Sequence, residues 1–268
     1  MGLLHRLILS FSLPTSYFYC GGINLLIILL NAIKIAFLLG FLICIHEAGH
    51  FLVAKLFKVK VKEFAIGFGP VIWKKQGKET KYVLRLIPLG GFVNLLGEEE
   101  FSEEVGSYSK APRWKKILIL LAGGTVNIIF GMIVYFILAT CMEKNLYYGL
   151  RDTIDLAGSF FQGIKELFVG NIGVEQLTGP VGISEIVVKT GTIDQFIYIL
   201  ALISVSLGVT NLLPFPPLDG GKILLLLIEG IIRKPIKENI NNAIQMTGFF
   251  IIMVLAVVVT YNDVLRIF

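Results

Sequence analysis

Residues 46 to 50 read His46-Glu47-Ala48-Gly49-His50. On a helix, two histidines four residues apart share one face, so both imidazoles can ligate one metal ion, with Glu47 beside it as a base toward activated water. The chain has only three histidines, His5, His46 and His50, and two of them stand at this ligand spacing. The motif closes an apolar run, 35–45, long enough to enter a bilayer. Ionisable groups at that depth cost several kcal/mol each unless paired or metal-bound, so a pair of merely packed histidines leaves the cost unexplained. The chemistry to expect is zinc hydrolysis inside a membrane.

Two histidines leave such a site short, because a catalytic zinc usually has three protein ligands and an open position. His5 lies ahead of the first apolar run, so the third ligand is sought among acidic residues. Asp219 stands in the string Asn211-Leu-Leu-Pro-Phe-Pro-Pro-Leu-Asp-Gly-Gly, inside an otherwise apolar stretch where an unpaired charge is costly. Gly220 and Gly221 free the backbone that would aim it. The competing partner for Asp219 is Lys222, although that lysine can instead reach toward the cytoplasmic surface.

The elements that must position these residues are membrane spans. Of 268 residues 55% are hydrophobic and 16% charged, with mean hydropathy +0.79. This composition describes an all-α polytopic membrane protein in a lipid bilayer rather than a soluble domain. Four spans are expected, at 35–57 with an apolar lead-in from Ile23, 117–141, 196–232 and 243–264. The third is too long for one straight helix and holds Pro214, Pro216 and Pro217, which predicts two helical pieces around an extended segment. Residues 55–116 carry 13 Lys+Arg against 7 Asp+Glu, whereas 142–195 carry 4 against 7. By the positive-inside rule the first segment is cytoplasmic, the second is outside, and both termini lie outside. These loops account for the net charge of +5, and no interleaved basic and aromatic patch calls for nucleic acid.

Between the first two spans, 59–97 is rich in β-branched residues and turn signals, with strands expected at 59–68, 70–75 and 81–87. The acidic patch 98–104 reads as a solvated loop. Gly123-Gly124-Thr125-Val126-Asn127 in the second span suits close helix packing, with a role near the metal site for Asn127 as the alternative. Residues 151–170 suggest an amphipathic helix with Ile154, Ala157, Phe161, Ile164 and Phe168 on one face, resting on the outer membrane surface or packed against the spans. Cys20, Cys44 and Cys141 form no C-x-x-C pair and point to no disulfide framework. Residues 1–22 form an N-terminal extension to which no function is assigned, ahead of a domain over 23–268.

Together these motifs resemble the site-2 proteases, intramembrane zinc metalloproteases, and within them the bacterial branch that cleaves anti-sigma factors. The residues that carry the likeness are His46 to His50, Gly67-Phe-Gly-Pro, Pro88-Leu-Gly-Gly-Phe, Gly123 to Asn127, Leu177-Thr-Gly-Pro-Val-Gly-Ile and Asn211 to Gly221. The resemblance implies one zinc ion held by His46, His50 and Asp219, Glu47 as catalytic acid and base, and Asn211 against substrate; Asn127, from its place in the second span, is a further substrate-binding candidate. It also implies a β-loop that pairs with extended substrate, single-pass membrane proteins or signal-peptide remnants as substrates, and a bacterial inner membrane, while the loop charges place the site toward the cytoplasmic half. One departure is plain: 142–195 spans only 54 residues, too few for the PDZ domain of about 80 to 100 residues that this branch commonly inserts there. A non-catalytic metal-binding membrane protein or a metal-ion transporter is the alternative, but a transporter needs polar groups on several spans forming a path.

Overall fold

The computed structural model describes residues 25–98, 100–171, 173 and 176–267. The extension 1–22, His5, Cys20 and the lead-in at Ile23 lie outside the described residues, as does the side chain of Phe168. In chain order the elements are α1 (Leu25–Leu56), β1 (Val61–Gln76), β2 (Lys81–Leu95), α2 (Arg113–Glu143), α3 (Leu146–Val169), α4 (Pro180–Val188), α5 (Ile193–Asn211), α6 (Asp219–Ile232) and α7 (Glu238–Ile267).

Four of these helices are long and apolar enough to cross a membrane: Leu26–Leu56, Arg113–Glu143, Ile193–Asn211 and Glu238–Arg266. α1 has 32 residues, a length of about 48 Å against an apolar bilayer thickness of about 30 Å. It exposes Leu26, Ile27, Ile28, Leu29, Leu30, Ile33 and Phe37, and α7 exposes Phe250, Val254 and Val257. Apolar side chains exposed in this number along spanning helices are solvated by lipid. The chain is a multi-pass membrane protein. The third expected span is two pieces, as its prolines require: α5 stops at Asn211, residues 212–218 turn, and α6 begins at Asp219.

The β element differs from expectation in its breaks. The first two expected strands are one strand, β1, and the third continues through Gly90 and Gly91 to Leu95. The ladder is antiparallel, with Val61 opposite Leu95, Ala65 opposite Phe92, Val71 opposite Arg85 and Gln76 opposite Lys81. Gly67 and Gly69 have φ of 89° and 82°, and a Cβ on Gly67 would lie 2.7 Å from the Ile87 carbonyl oxygen. Glycine lets the chain bend there within the ladder, where another residue would have ended it. Ala54, Val59, Val61, Leu95 and Ile119 form a buried cluster that seats the sheet on the helices beside it.

The described residues form two compact units, one within 36–129 and 206–252, the other within 25–35, 130–205 and 253–267. In the second, α4 is held at both ends. Asp263 accepts the backbone N–H groups of Gly179 and Gly182 at 2.9 and 2.8 Å, and Lys34 donates to the Thr190 carbonyl at 3.0 Å. A carboxylate at the N-terminus and an ammonium past the C-terminus both suit the helix dipole. On α3 Gly149, Thr153 and Leu156 are buried, while Ile154 and Phe161 of the expected apolar face are exposed. Ala157 and Ile164 are half-buried, so only the Ile154 and Phe161 side chains of that face stand out toward a lipid surface.

Candidate metal centre

α1 carries His46 and His50 one turn apart, both buried. Their Nε2 atoms lie 3.1 Å from each other, and Asp219 Oδ2 lies 3.1 Å from each of them. Three donor atoms from residues up to 173 positions apart thus form a triangle of equal edges. A Cβ on Gly220 would come within 2.3 Å of the Leu212 and Leu213 carbonyl oxygens, so the close fold of 212–218 onto the start of α6 needs glycine there. That fold brings the Asp219 carboxylate to the histidines.

The first turn of α2 beyond its basic end completes the support. His50 Nδ1 donates to the Ile119 carbonyl oxygen at 2.7 Å, which holds the proton on Nδ1 and leaves Nε2 with a lone pair. That lone pair, the His46 Nε2 atom and a carboxylate oxygen converge on one point, where a bound cation or a shared proton relieves their repulsion. Tetrahedral zinc with bonds of about 2.0 to 2.1 Å separates its ligand atoms by about 3.3 Å, close to the edges here. Two imidazoles and one carboxylate are also a donor set that zinc takes in catalytic sites. The residues fit the ion.

Gly123 explains why the glycine pair of α2 stands where it does. A Cβ there would fall 2.3 Å from His50 Nε2 and 2.8 Å from His46 Cε1, and one on Gly49 would fall 2.7 Å from the Ala122 carbonyl oxygen. Close packing of α1 on α2 and a role at the site are therefore one and the same contact. Lys222 does not take Asp219: its ammonium lies 3.2 Å from Glu98 Oε1. Within the acidic patch Glu98 is drawn to Lys222, whereas Glu104 meets Lys60 at 3.3 Å as an exposed surface pair.

His46, Glu47, His50 and Asp219 line a cavity of about 1210 Å³. Phe92, Val93, Asn94 and Leu95 of β2 form part of its wall, and Asn241, Asn242 and Gln245 of α7 another. Tyr108 also faces it, and burial pushes its hydroxyl well above the ordinary phenol range, so it stays protonated. Neither Asn127, fully buried in α2, nor Asn211, the last residue of α5, is among the lining residues. The α7 amides escaped the reading of the sequence, although Asn241, Asn242 and Gln245 clustered at the start of an apolar run were the signal.

The sequence profile of Peptidase family M50 matches residues 34–255. A protein of Clostridium acetobutylicum whose name places it among zinc metalloproteases is 27% identical over 321 aligned positions, covering 84% of this chain and 94% of its own. Those 321 positions exceed the 268 residues here, so the relative holds segments with no counterpart in this chain. Zinc metalloprotease RasP of Shouchella clausii is 40% identical over 127 residues, 46% of this chain and 30% of that protein. The protease eep of Enterococcus faecalis is 38% identical over 138 residues, 50% of this chain and 32% of that protein.

Proposed function

The chain belongs to peptidase family M50 and is a membrane zinc metalloprotease, and from that premise we propose that it cleaves single-pass membrane proteins in or near their transmembrane segments. His46, His50 and Asp219 hold one zinc ion, and Glu47 is the catalytic acid and base. The observation that carries this reading is the equal triangle of His46 Nε2, His50 Nε2 and Asp219 Oδ2, with Glu47 on the wall of the same cavity. When bound, zinc supplies Lewis acidity at that point. The Glu47 carboxylate takes a proton from the attacking water and returns it to the leaving amide nitrogen. The His50 to Ile119 bond holds the imidazole in the tautomer that offers Nε2.

A peptide bond within a helix is screened by its own hydrogen bonds, so a spanning substrate must unwind before attack. β2 borders the cavity and supports pairing with the unwound strand. Anti-sigma-factor-like proteins and signal-peptide remnants are the substrate classes, in the inner membrane of a bacterium. Charge asymmetry of the loops supports a site toward the cytoplasmic half with both termini outside. The 54 residues of 142–195 support a protease core without a PDZ domain. The deciding experiment expresses Glu47→Gln beside the parent with a single-span substrate; cleavage at the parental rate would overturn the assignment.

A further inference from the structure

An extended peptide presents N–H and C=O groups along both edges, and in a site poor in water each group left unpaired costs binding. The cavity has an obvious partner for one edge only. Residues 91–95 of β2 pair solely with residues of 61–66 among the described residues, so their other edge has no strand beside it where Phe92 to Leu95 border the cavity. Part of the remaining wall belongs to α7, through Asn241, Asn242 and Gln245.

We propose that Asn241 and Gln245 bind the second edge of an extended substrate, making a slot with β2 on one side and helix-borne amides on the other. This rests on the reading that peptide is cut at the His46, His50 and Asp219 centre. Residues i and i+4 of a helix are separated by about 6.0 Å along its axis, and same-edge groups of an extended chain repeat every 6.6 to 6.8 Å, roughly the same step. Each carboxamide both donates and accepts, so the pair meets the main chain in either register and takes no account of side chains. Gln245 Oε1 is buried with no hydrogen-bond partner among the described residues. An amide kept in a spanning helix only for packing would have its oxygen paired across the interface. Turned toward the cavity that Gln245 lines, its Oε1 suits a substrate N–H, and Asn241 Nδ2 a substrate carbonyl.

The test uses the full-length zinc-loaded protein in detergent and two probes, acetohydroxamate, which reaches the metal alone, and a trileucine hydroxamate, which adds a main chain. Gln245→Leu and the pair Asn241→Leu with Gln245→Leu are expected to weaken the peptide hydroxamate about tenfold or more and to leave acetohydroxamate unchanged, with Gln245→Asn recovering part of the loss. Unchanged peptide binding, or equal weakening of both probes, overturns the proposal. A parent protein that binds neither probe refutes the metallopeptidase reading instead, and takes this inference with it.

Discussion

His50 donates from Nδ1 to the carbonyl oxygen of Ile119 at 2.7 Å, and that single bond between α1 and α2 decides which nitrogen His50 offers to a metal. The contact is possible because Gly49 and Gly123 let the helices approach, and Gly123 sits against the imidazole itself. Packing and ligation are therefore inseparable here.

Glu47→Gln is expected to lower turnover by at least about a hundredfold, the usual scale of a lost general base, while zinc content stays near that of the parent. Metal analysis of the purified variant beside a cleavage assay checks both halves. Zinc lost along with activity would make Glu47 a structural residue.

Removing a ligand should act differently. Asp219→Ala and His46→Ala leave two donors, and bound zinc should fall well below one per chain after dialysis, with loss of cleavage. Retention of a full equivalent by Asp219→Ala would remove Asp219 from the ligand set.

Lys222→Met separates the two partners once conceivable for Asp219. Because Lys222 faces Glu98, the variant is expected to keep its zinc and to change stability by about 0 to 1 kcal/mol, the range of a partly exposed ion pair. Zinc loss on the scale of Asp219→Ala would show that Lys222 supports the carboxylate directly.

Gly123→Ala is expected to abolish zinc binding, since its Cβ would meet His50 Nε2 at 2.3 Å. Gly158→Ala in α3, where a Cβ meets nothing within 4 Å, serves as control and should stabilise that helix by about 0.5 to 1 kcal/mol. Thermal melting and metal content of the two variants distinguish the cases.

Acidification should loosen the β element. Burial raises the Glu63 carboxyl, but its hydrogen bonds and charge pairing with Lys81 and Arg85 outweigh that and hold it below the ordinary glutamate range. A depressed carboxyl contributes stability above its unfolded pKa of about 4.3, and the contribution fades as pH falls from there through the folded value. Protection factors over 61–95, exchange rates taken relative to the intrinsic rate at each pH, should therefore fall below about pH 4.3, and Glu63→Gln should flatten that dependence.

Much of this protein can be read from residue types and spacing alone. Apolar runs of bilayer length, prolines inside the third run, two histidines at i and i+4 and one acid among apolar neighbours each carry a local physical cost that only a membrane and a metal remove. Local rules reach no further. Whether Asp219 met the histidines or Lys222 depended on how 212–218 folds back on Gly220, a contact between chain segments that no period reveals. The turns at Gly67 and Gly69 looked like strand ends because glycine punctuation is ambiguous until a ladder partner crosses it. The double duty of Gly123, the bond from His50 to Ile119 and the amides of α7 facing the cavity all depend on which helix lies beside which. Tertiary packing alone decides that, because a side chain's neighbours across an interface leave no mark on its own sequence.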